Sequence, residues 1–180
     1  MYLSPAESTN QAADSHNAEW KTYTNKTYHY SVSYPGYLER TDTPYTAVFQ
    51  EKQSQFARAD FPAIYISSIP AGFTDSHKIY NFMPADIIEK LFSASINERV
   101  QIAPREDAKY WTYTKLATLQ VSSESGIIIQ NNNVEHSEGD VNRMVLVRKN
   151  GVTYVIGSYY KTQQELDDFY HFLSSFHFTN

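Results

Sequence analysis

Asn150-Gly151 stands between two apolar, β-branched runs, Met144 to Arg148 and Val152 to Tyr160. No other feature of this chain constrains its fold as strongly. A two-residue type I′ hairpin turn needs positive φ at both central positions, which Asn and Gly adopt at the least cost. The dipeptide therefore predicts an antiparallel hairpin, and with it a sheet.

Further runs extend that sheet. Tyr28, Tyr30, Val32 and Tyr34 alternate with His29, Ser31 and Ser33 and stop at Pro35-Gly36, the pattern of a half-buried strand over 28–34. Thr46 to Gln50, Ala63 to Ile69, Tyr110 to Val121 and Gly126 to Gln130 are strand-like as well. A helix fits 84–94, with Pro84 in the first turn, Asp86 near its positive end, Ile87, Ile88, Leu91 and Phe92 on one side, and Glu89 and Lys90 toward water. Thr162-Gln163-Gln164-Glu165 is a capping box ahead of Leu166, Phe169, Tyr170 and Leu173, the start of an amphipathic final helix. About six or seven strands with two helices set among them predict an α+β fold, an antiparallel sheet covered by helices. Residues 1–18 are small and polar without periodicity and read as a flexible arm, followed by a single domain over 19–180.

Composition narrows the partners. Lys+Arg 15 against Asp+Glu 20 gives net −5, which lacks the basic excess that neutralises many phosphates, so nucleic acid is not an expected partner. No apolar run approaches the roughly 18 to 20 residues that span a bilayer. The absence of Cys excludes thiol catalysis and thiolate metal sites while leaving the compartment open. The polar arm reads as a tether left when an export segment is removed, so a membrane would be reached only through that removed N-terminal anchor.

Chemistry-bearing residues are scattered. Glu135-His136-Ser137-Glu138-Gly139-Asp140 is the densest group of possible ligands, but its spacing matches no standard metal loop and its composition is that of a solvated connection. Asp167 and His171, four apart, fall on one helix face, a spacing shared by acid/base pairs and by ordinary wet contacts. His29 alternates with tyrosines and is placed on the polar face of its strand. Asn25-Lys26-Thr27 is a sequon, relevant only to a secreted eukaryotic protein. No nucleophile elbow, zinc-hydrolase motif or phosphate loop occurs, so no catalytic residue, metal ligand or cofactor is assigned. The aromatics Tyr110, Trp111 and Tyr113 are the candidates for a ligand-stacking platform, with core packing the simpler use of the same residues.

Two stretches carry a family resemblance. Trp20-Lys21-Thr22-Tyr23-Thr24-Asn25-Lys26-Thr27-Tyr28-His29-Tyr30-Ser31-Val32-Ser33-Tyr34-Pro35 resembles the opening strand and Tyr-Pro of the superfamily of the photosystem PsbP protein and the Ran-binding Mog protein. Gly151-Val152-Thr153-Tyr154-Val155, leading to Phe169-Tyr170-His171-Phe172-Leu173-Ser174-Ser175-Phe176-His177-Phe178, is similar to that superfamily's final hairpin, helix and Ser-Phe-x-Phe strand. The resemblance spans about residues 20–178 in layout and implies an α/β/α sandwich. It also implies a non-enzymatic accessory or binding role, with the exported bacterial lipoprotein branch fitting best. The lipid-bearing Cys of that branch is absent here, and the expectation is that Met1 replaces a processed leader. The chain is thus expected to work outside the cytoplasm, docking on an envelope protein. The alternative is a small-ligand carrier with an aromatic-lined cleft between sheet and helices.

Overall fold

The computed structural model describes residues 19–51, 64–79, 83–101, 112–132, 141–160 and 162–180. Its centre is the hairpin of β9 (Val141–Lys149) and β10 (Val152–Tyr160), whose register pairs Val152 with Lys149 and leaves only Asn150 and Gly151 in the turn. Their φ values of 51° and 75° are the pair that a type I′ turn requires. Around it an eight-stranded, wholly antiparallel sheet runs in the order β3 (Leu38–Asp42), β4 (Thr46–Glu51), β5 (Ile64–Pro70), β10, β9, β8 (Glu124–Asn131), β7 (Thr112–Val121), β6 (Arg99–Gln101).

Both faces of the sheet's middle are buried, which is why its strands read as continuous apolar runs. Val145, Val147, Tyr154, Ile156, Ile64, Ile66 and Phe49 point to one face. Their neighbours Met144, Leu146, Val155, Tyr65, Ile127 and Ile129 point to the other. The second face is covered by α1 (Ala85–Ser93) through Ile87, Ile88 and Leu91. The first is covered by α2 (Gln163–Ser175), through Phe169, Phe172 and Leu173, together with a separate three-stranded sheet of β1 (Trp20–Asn25), β2 (Tyr30–Pro35) and β11 (His177–Phe178). The α+β sandwich is therefore as expected, but the main sheet has eight strands, and the opening strands belong to the cover. β3 escapes a sequence reading because four of its five residues are exposed, and β6 because it is three residues long.

One detail of the expected strands is corrected. The strand expected over 28–34 is β2, which begins at Tyr30, and His29 lies in the preceding turn at φ 51°, not on a strand face. That turn is built by Asn25, whose side-chain oxygen accepts from the N–H groups of Thr27 and Tyr28. Its amide nitrogen, the atom a glycan would occupy, donates to Tyr23 at 3.1 Å and Tyr30 at 3.4 Å. Glu89 faces water as expected, and from there it also forms a bidentate pair with Arg148 of the sheet at 2.7 and 3.3 Å.

The helix signals are realised closely. Pro84 is the N-cap of α1, and both halves of the capping box form at α2, Thr162 Oγ1 accepting from Glu165 N–H and Glu165 accepting from Thr162 N–H. The C-terminus of α1 is finished by a residue from the sheet. Leu116 is an extra residue bulged out of β7, which turns Tyr113 and Lys115 toward α1 and Leu119 and Val121 toward the opposite face. Lys115, 6% exposed, then donates from Nζ to the carbonyls of Phe92 at 2.9 Å and Ala94 at 2.7 Å. A cation placed on the last carbonyls of a helix meets both its unpaired acceptors and its negative end.

Two substitutions test this architecture. Lys115→Met keeps most of the side chain's length but strips the Phe92 and Ala94 carbonyls of this donor, and should lower unfolding free energy by about 1.5–3 kcal/mol in urea melts. Gly157 lies under the ring of Tyr65, which a β-carbon at that position would strike. Gly157→Ala should cost about 1–3 kcal/mol, and most of that cost should disappear in a Tyr65→Leu background, a coupling that only direct contact produces.

Candidate functional site

Where the central hairpin turns, the chain forms a groove of about 460 Å³ between the ends of the strands and α1. Its position follows from local rules. Asn150-Gly151 ends the hairpin, and the Gly151 carbonyl accepts from Ala71 N–H at 2.7 Å, fixing the turn that follows β5 beside it. That turn closes by Phe73 N–H donating to the Pro70 carbonyl, with Gly72 at φ 76° supplying the left-handed residue. The opposite wall is the first turns of α1, Ala85, Ile88 and Glu89. Apolar lining from Ile69, Phe73, Ile88 and Val152 lies under a charged rim.

The rim charges are matched. Arg148 pairs with Glu89 and stacks over the Phe92 ring at 4.2 Å, while Lys149 meets Glu124 at 3.3 Å and lies 4.5 Å above the centre of Phe178. Exposed pairs of this kind contribute little stability but hold long side chains in place. The groove thus presents fixed backbone turns, a small apolar floor and two oriented ion pairs.

The residues singled out from sequence are distributed elsewhere. Tyr113 is 5% exposed, packed in the α1-side core opposite Asn131 and Val100. Burial, with the neighbouring Tyr159 as a smaller cause, pushes its phenol above the ordinary range. Tyr110 and Trp111 lie outside the described residues, as does the acidic stretch 135–140. Asp167 and His171 are not brought together. Asp167 accepts from Gln163 Nε2 at 2.8 Å, and the His171 ring stacks on Trp20 at 4.0 Å. Among the described residues, no three His, Asp or Glu side chains converge as a metal site would need.

No protein-family model matches the chain, and no curated protein is significantly similar to it. Solved structures are similar in shape. Cyanobacterial PsbP (CyanoP) of Synechocystis sp. PCC 6803 superposes with a TM-score of 0.50 at 14% identity, over 89% of this chain and 93% of that one. The fold is PsbP-like. A protein of Bacteroides thetaiotaomicron matches with a TM-score of 0.51 at 8% identity over 89% of this chain, and this chain spans about half of it, 48%. Identities this low speak for the fold alone, so any function must be argued from the site.

The tyrosines generate a prediction on pH. Burial raises the phenols of Tyr30, Tyr113, Tyr23 and Tyr154 above their ordinary value of 10.0. Tyr37 is raised too, by burial first and then by its hydrogen bond to Asp168. Each keeps its proton in the fold at a pH where the unfolded chain has released it. Their contribution is therefore fully present below about pH 10 and is lost as pH climbs above it. Urea midpoints should hold between about pH 8 and 9 and fall steeply from about pH 10 to 11. A flat profile over that upper range would contradict the burial of these phenols.

Proposed function

We propose that this protein is a non-catalytic binding module that works outside the cytoplasm, tethered through its N-terminal arm, and that it docks on another protein of the cell envelope through the groove at the hairpin end. The supporting observation is the groove itself. Its walls are two hydrogen-bonded turns and a helix anchored to the sheet by the Arg148–Glu89 pair, so they are ordered before anything binds. Pre-ordered turns spare a complex the entropy of fixing loops, which is where much binding free energy is otherwise lost. Arg148 over Phe92 adds a residue pair of the type that dominates interface energies. The PsbP-like fold agrees with accessory work, and among the described residues no helix is long and apolar enough to cross a membrane.

A second reading is favoured by the groove's size, which falls within the range of small-molecule pockets. One experiment separates the two. Ala71 and Ala85 are exposed on opposite walls, so Ala71→Trp/Ala85→Trp fills the groove without touching the core. Stability should change by no more than about 0.5 kcal/mol. Cross-linked, natively expressed wild type should retain a stoichiometric envelope protein that the double variant loses. Equal retention by both would move the docking surface elsewhere. A wild type that holds no protein but is stabilised by a metabolite, with that stabilisation absent from the variant, would establish the carrier.

A further inference from the structure

Arg143 sits near the opposite end of β9 from the hairpin turn, on the face covered by α2, and differs from the other partly buried cations. Arg148 and Lys149 have carboxylates, and Lys115 has two helix carbonyls. Arg143 is half-buried and, among the described residues, meets no carboxylate. Its neighbours are neutral. Nη1 donates to the Tyr170 hydroxyl at 2.8 Å, Nη2 to Gln130 Oε1 at 3.5 Å, and the guanidinium lies 5.7 Å from the centre of the Tyr160 ring. Nε is buried and, among the described residues, has no acceptor.

A guanidinium carries five N–H donors in a rigid plane and cannot shed its charge. Two of them are used here, the one to Gln130 at the limit of hydrogen bonding, and the buried Nε–H has no acceptor among the described residues. Leaving charged donors unmatched in a half-buried place is costly unless the site is filled by something that matches them. Tyr170 is 37% exposed, so the Nη end is open to solvent from the α2 side. The surrounding groups suit an anion with a flat, two-oxygen face. The Nη pair supplies parallel donors, the Tyr170 hydroxyl, already an acceptor from Arg143, has its own hydrogen to give, and the Tyr160 ring walls one side.

We propose that Arg143, Tyr170, Tyr160 and Gln130 form a carboxylate-binding site, separate from the groove and independent of what the groove holds. The carboxylate belongs either to a free small acid or to an acidic side chain of a protein. In both cases it forms charge-assisted hydrogen bonds with the Nη groups and receives the Tyr170 hydroxyl hydrogen, without displacing an existing ion pair.

The test is a nuclear magnetic resonance titration of the whole chain, ¹⁵N-labelled, reading the Arg143 Nε–H and the Gln130 side-chain amide at constant ionic strength. The probes are sodium acetate, a tetraglutamate peptide and sodium phosphate. Acetate and the peptide should shift both resonances to saturation, and Arg143→Gln should weaken binding about tenfold or more. Tyr170→Phe, which removes only the hydroxyl, should weaken it about threefold to tenfold. Arg143→Lys keeps the charge but lacks the planar fork, so it serves as a folded control in which binding is still strongly reduced. Tighter binding of the peptide assigns the site to an acidic protein segment, and equal affinities assign it to a free acid. Phosphate binding tighter than either carboxylate, absence of any shift, or shifts unaltered in Arg143→Gln would each overturn the proposal.

Discussion

The structure depends on covering a hairpin whose two faces are both apolar. β9 and β10 place Val145, Val147, Tyr154 and Ile156 on one side and Met144, Leu146 and Val155 on the other, all at 4% exposure or less. Burying side chains of this size contributes about 1.5–3 kcal/mol each, so neither face can be left to water. The chain covers one face with α1, drawn from its middle, and the other with segments drawn from both of its ends. The ends are joined at Ser175. Its hydroxyl accepts the Ser33 N–H at 2.8 Å and donates to Phe172 within its own helix, while Phe176 stacks on Tyr30 at 5.3 Å. The Ser-Phe-x-Phe close and the Tyr-rich opening are therefore one structural device, in which each holds the other against the sheet.

The same burial decides how charge is handled. Strand positions near the sheet's ends carry Lys115, Arg143, Arg148 and Lys149, whose long stems cover apolar surface while their heads seek partners. Lys115 finds helix carbonyls because the bulge at Leu116 turns it toward α1. Arg148 finds Glu89 because α1 lies across that face with its polar edge over β9. These contacts position α1 against the sheet, and with it one wall of the groove. Arg143 is the exception, and its surroundings of hydroxyl, amide and ring are why it reads as a binding group and not as a structural one.

The parts of this fold that could be read from sequence are those fixed by local chemistry. Asn150-Gly151 has one low-cost conformation between strands, and the Thr162–Glu165 box satisfies its own backbone amides, so both appear where their residues stand. The connection joining β7 to β8 was legible in place, between the runs that end at Val121 and start at Gly126, but not in form. It tightens to Ser122-Ser123, with Ser122 at φ 55°, and neither residue is a turn former of the Asn or Gly kind. The tertiary pairing of β8 with β9 imposes that turn against local preference. Lys115 and Arg143 were invisible for a related reason. A cation in an alternating run looks like a solvent-facing position until the bulge, or the absence of a carboxylate, is seen in three dimensions. Tyr113 was legible in part. Its aromatic cluster allowed a platform or, more simply, core packing, and the register that sets it opposite Asn131 packs it into the core.

A sheet sealed on both faces leaves few places for recognition. Among the described residues, side chains that point from the central strands meet α1, α2 or the small sheet, which leaves the ends of strands and the outer sides of the covers exposed. The groove occupies the first kind of place and the Arg143 cluster borders the second, with α2 contributing Tyr170 to it. Separation follows from topology, because the hairpin turn and Arg143 lie toward opposite ends of the same nine-residue strand. At about 3.4 Å per residue, the five steps from Arg143 to Arg148 set the two sites roughly 17 Å apart. Five residues apart, the two side chains leave opposite faces of the strand, Arg143 toward Tyr170 of α2 and Arg148 toward Glu89 of α1, so neither site is reached through the other.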